Sequence, residues 1–143
     1  MAKVRALMPL CSAMLLAGLS SGCSGSDRGP EFTQVSEALG AVVVGHQSRG
    51  PDVGGDDALL IGRFEAVDGC AMVRMDDGTV VVPSFPIGWT DVDDSGALSW
   101  GGGTAAHLGD HVEIGGGFAP VTRVDLPAGC EADEAFIVKP LDQ

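Results

Sequence analysis

Asp91, Asp93, Ser95 and Gly96 set oxygen donors on alternate residues with a glycine at the bend, as at the opening of a calcium loop. The twelfth place of such a loop carries a bidentate glutamate; here it is Gly102. The stretch therefore reads as a solvated hairpin turn. His107 and His111 stand four apart with Glu113 nearby, a zinc-like spacing on a helix. Gly109-Asp110 breaks any helix there, so exposed turn histidines are expected and no metal or cofactor is called for. Gly101-Gly102-Gly103 and Gly115-Gly116-Gly117 lack the Lys-Ser/Thr of a phosphate loop. They read as bends where strands end or backbones approach closely.

Phe85, Ile87 and Trp89, set among Pro83, Pro86 and Gly88, form the most ligand-like stretch. A rigid loop bearing Phe85 and Trp89 could line a groove for a glycan or peptide, because tryptophan joins apolar area to one polar donor. The competing expectation is that these side chains plug one end of a barrel. No Gly-x-Ser-x-Gly elbow is present, and the three histidines have no nucleophile partner visible in sequence. The expected activity is therefore non-catalytic binding; the alternative is a hydrolase whose carboxylates meet only in space.

Lys3 and Arg5 precede an apolar run from Ala6 to Leu19, and small residues follow, the order of a secretory signal. Pro9, Ser12 and Gly18 interrupt the run, which is shorter than the roughly 20 apolar residues of a spanning helix. It ends in Leu19-Ser20-Ser21-Gly22-Cys23. A small residue before a cysteine at that place resembles the lipobox of bacterial lipoproteins, with Ser20 where the family usually has leucine. The resemblance implies a diacylglycerol on Cys23, cleavage of residues 1–22, and a membrane partner reached through the lipid at the extracytoplasmic face. Residues 23–30 then form a small, polar tether. Residues 31–143 form a single β-rich domain similar to the small exported domains of uncharacterised lipoproteins.

Lys3 and Arg5 lie before Cys23, whereas all twenty acidic residues lie after it. The mature chain thus carries six basic against twenty acidic residues, a formal charge of −14. So acidic a surface repels nucleic-acid backbones, and no nucleic-acid partner is expected; an envelope glycan or protein is. A hydrophobic fraction of 45% argues for a packed core in spite of the charge. Cys11 leaves with the leader, so Cys70 and Cys130 remain as an even pair in an exported domain, the setting of a disulfide. That bond would pin the loop before the final strand to the start of an earlier one.

Phe32, Val35 and Leu39 recur at helical spacing before Gly40, which predicts one short helix over 31–39. Beyond it the pattern is of strands: Leu59 to Phe64, Ala71 to Met75, Thr79 to Val82, Ala97 to Trp100, His111 to Ile114 and Phe136 to Val138. Asp77-Gly78 and Ser95-Gly96 fall between such runs as turns. The fold expected is all-β, a small barrel of OB-like or meander form.

Overall fold

The structure, a computed structural model, describes residues 36–47, 57–124 and 126–140. The expected leader (1–22), Cys23 and the expected tether (23–30) lie outside these residues, as do positions 31–35 of the expected helix. Residues 36–39 are helical, and Gly40 follows at φ +75°.

Among the described residues nine strands follow. They are β1 (Val44–His46), β2 (Ala58–Val67), β3 (Cys70–Arg74), β4 (Val80–Pro86), β5 (Asp91–Val92), β6 (Leu98–Ser99), β7 (Ala105–Ala106), β8 (His111–Ala119) and β9 (Glu134–Val138). Five of them close a barrel in the order β2-β3-β4-β9-β8, with β8 returning to β2. Within that ring only the β4–β9 pairing is parallel. This is an OB-like Greek key and not a meander, because the last strand inserts between two that precede it. Closure leaves these strands few free edges. β1 runs parallel to the end of β4, beyond the pairing of β4 with β3, and Val42 bridges to Cys70.

The alternation in β2 explains its placement. Leu60 and Phe64 are buried in the barrel, whereas Leu59, Ile61 and Arg63 face outward. Val73, Val81, Phe85, Ile114, Phe136 and Val138 complete the interior. Burial of each such large side chain contributes about 1.5–3 kcal/mol. Asp68 and Gly69 turn β2 into β3 with φ of 50° and 83°, the positive pair required by the tightest hairpins.

Two glycines allow the strands to close. A Cβ on Gly62 would run into the Arg74 carbonyl, and one on Gly116 into the Ile137 carbonyl and the Phe136 ring. Gly115-Gly116-Gly117 therefore lies inside β8 and does not end it, which corrects one half of the expectation and supports the close-approach half at Gly116. Gly101, Gly102 and Gly103 do form a bend, all three at positive φ.

Between β4 and β8 the chain makes a separate small sheet, β5-β6-β7. Leu98, Trp100 and Ala106 from this insert join the barrel core, and Trp100 lies 5.4 Å from Phe85 between ring centroids.

Candidate functional site

In OB-like barrels the outer face of the second and third strands, with the loop before the last strand, is the customary place for an extended ligand. Those strands here are β3 and β4. Their outward side chains Cys70, Met72 and Val82 are buried, in a second apolar cluster with Val44, Ala135 and Cys130. The cover is the β8–β9 connection, whose Val121, Val124, Leu126 and Ala132 pack onto the cluster. A 3₁₀ turn (Val121–Arg123) begins this strap. The expected Cys70–Cys130 disulfide is present, with Cα atoms 5.6 Å apart, and fastens the strap to the start of β3. The face is thus occupied by the protein itself.

The residues singled out around Asp93 meet in a polar clip. Asp93 Oδ1 accepts hydrogen bonds from Ser95 N at 2.8 Å, Ser95 Oγ at 2.6 Å and Ala97 N at 3.0 Å. Ser95 Oγ also lies 3.1 Å from His107 Nε2, and His107 Nδ1 lies 3.6 Å from Asp110 Oδ2. Ser95, His107 and Asp110 have the residue types of a nucleophilic triad. The shorter hydrogen bond of Ser95 Oγ, however, goes to the Asp93 carboxylate and not to His107. With that proton directed to Asp93, the contact with His107 Nε2 is a hydrogen bond to the hydroxyl in the Nε2–H tautomer. The arrangement closes the β5–β6 turn onto the segment after β7. Among the described residues, no group of three or more His, Cys, Asp or Glu side chains is placed to hold a metal ion. His111 is exposed on β8.

The hydrogen bond from Ser95 Oγ, then that from Ala97 N, holds the Asp93 carboxyl below its ordinary pKa. Asp77 is lowered chiefly by the Thr79 backbone N–H, and Asp57 chiefly by its hydrogen bond to Lys139. A depressed carboxylate pKa stabilises the fold above the unfolded value of about 3.9 and loses that contribution as pH falls through the folded value. Loss of stability below about pH 4 should therefore be smaller in Asp93→Asn than in the wild type, read from melting temperature against pH.

His46 Nδ1 lies 3.1 Å from Ser84 Oγ, and Ser84 is fully buried in β4. Burial lowers the His46 pKa from 6.5, and a hydrogen bond with the Ser84 backbone opposes that shift. A lowered histidine pKa means that the unfolded chain takes up the proton first. The contribution is complete above about pH 6.5 and declines as pH falls toward the folded value. An NMR titration should place the His46 midpoint below 6.5.

Phe85 and Trp89 part company. Phe85 is completely buried, 6.4 Å from Phe64 between centroids. It plugs the barrel and lines no groove, which corrects its place among the ligand-binding candidates. Trp89 is 46% exposed. Its turn is held by Ile87 N donating to His46 O at 2.9 Å, Trp89 N to Pro86 O at 3.2 Å and Thr90 Oγ to Pro86 O at 2.8 Å. Gly88 supplies the positive φ of 90° within the turn.

The chain matches no protein-family model, no curated protein and no solved structure.

Proposed function

We propose that the protein is a lipid-anchored, non-catalytic binding module of the cell envelope. Cys23 carries the lipid at the extracytoplasmic face of the membrane, and Trp89 engages an envelope glycan. The observation that supports binding through Trp89 is its half-exposed ring on a hydrogen-bonded turn, in a barrel whose customary ligand face is already covered. An apolar ring face with one N–H donor suits the faces and hydroxyls of a sugar. The disulfide supports the extracytoplasmic reading, since such bonds persist in oxidising surroundings. The lipid supplies attachment that an acidic surface cannot, each buried methylene contributing about 0.8 kcal/mol.

The chain has two tryptophans, and Trp100 is buried. In a Trp100→Phe background the emission of Trp89 alone reports binding. Titration with soluble peptidoglycan fragments should change that emission saturably. An unchanged emission up to millimolar fragment, with the protein folded, would contradict the glycan reading.

A further inference from the structure

A second exposed aromatic lies elsewhere on the barrel. Phe118 follows Val112, Ile114 and Gly116 in the inward phase of β8, yet it is 41% exposed. Its ring meets the buried Phe136 edge-on, with centroids 4.9 Å apart and planes at 80°. That contact fixes the ring and leaves part of it to solvent. Phe118, Ala119, Pro120, Asp133 and Glu134 line a groove of about 410 Å³.

The charge in this groove has one sign. Asp133 Oδ2 accepts the Val80 N–H at 2.9 Å, which holds that carboxylate in place. Glu134 is exposed and makes no ion pair with a described residue. Among the described residues no basic side chain lines the groove, and Arg123, just beyond Pro120, forms no ion pair with either acid. The mature chain adds a long-range field from its excess of acidic residues.

We propose that this groove docks a basic segment of a partner protein. A lysine or arginine side chain would lie on the Phe118 ring, its charge beside Asp133 and Glu134. The ring face attracts the cation and the apolar stem covers the ring. This surface is separate from the glycan reading at Trp89, and either can fail alone.

The probe is an acetylated, amidated tetra-arginine peptide, titrated into the oxidised protein at physiological salt and followed by NMR. Saturable shifts should centre on Phe118 and Glu134. Glu134→Gln should weaken binding about fivefold, and Phe118→Leu, which keeps apolar volume without the ring, by a similar factor. Glu131→Gln removes one equal charge outside the groove and should change affinity less than about twofold. Equal weakening by Glu131→Gln and Glu134→Gln would mean diffuse attraction and overturn the proposal, as would shifts that do not saturate. Should Phe118→Leu fail to fold, the comparison of the two glutamates still decides.

Discussion

Alanine at Gly116 should destabilise the protein by about 3 kcal/mol or more, the upper range for overpacking a closed interior. The added methyl would meet the Ile137 carbonyl and the Phe136 ring. Neither can retreat easily, because the carbonyl belongs to the paired strand β9 and Phe136 fills the core. The neighbouring Gly115 supplies the control. A Cβ there meets nothing within 4 Å. Gly115→Ala should therefore be neutral or slightly stabilising, because alanine loses less backbone entropy on folding. Urea unfolding of both variants gives the comparison, and similar stabilities would contradict the account of barrel closure.

The second large effect belongs to the strap. Cys70 and Cys130 are 60 residues apart, and on the chain-entropy model a loop of that length is worth about 4 kcal/mol. The paired change Cys70→Ala with Cys130→Ala should lose a comparable amount in urea unfolding. It should also loosen the strap before the barrel. Amide exchange should accelerate first between residues 121 and 132, with β2 and β8 still protected. Freed Met72 and Val82 would then bind a hydrophobic dye that the oxidised protein ignores. A variant as stable as the wild type, with unchanged exchange in the strap, would remove the disulfide from its assigned role.

The strands whose apolar residues alternate are legible in sequence. Leu59 to Phe64 lies within β2, His111 to Ile114 opens β8, and Phe136 to Val138 ends β9. The Asp77-Gly78 turn falls between β3 and β4 as its chemistry requires. Two-residue strands such as β5 and β7 are too short to show a period. The triple glycine of β8 carries no side chains to alternate, so it resembles a break. Strand order is also beyond a local pattern, because the parallel β4–β9 pairing joins distant segments.

Sites divide in the same way. Cys70 and Cys130 can be paired because the signal-like start leads one to expect export, and an even number of thiols in an exported chain has a direct chemical consequence. The covering of β3 and β4 cannot be read, since Val121, Val124 and Leu126 show no regular spacing and are placed by the barrel beneath them. Ser95 and His107 are twelve residues apart and meet through the β5-β6-β7 sheet. Phe118 escapes a sequence reading because its position in β8 has the inward phase, and only its end-of-strand location exposes it.

Intact-mass analysis of the protein extracted from membranes tests the central proposal most directly. The mass should equal residues 23–143 plus the lipid on Cys23, less two hydrogens for the Cys70–Cys130 bond. A soluble product of all 143 residues, with free unmodified thiols at Cys23, Cys70 and Cys130, would contradict it.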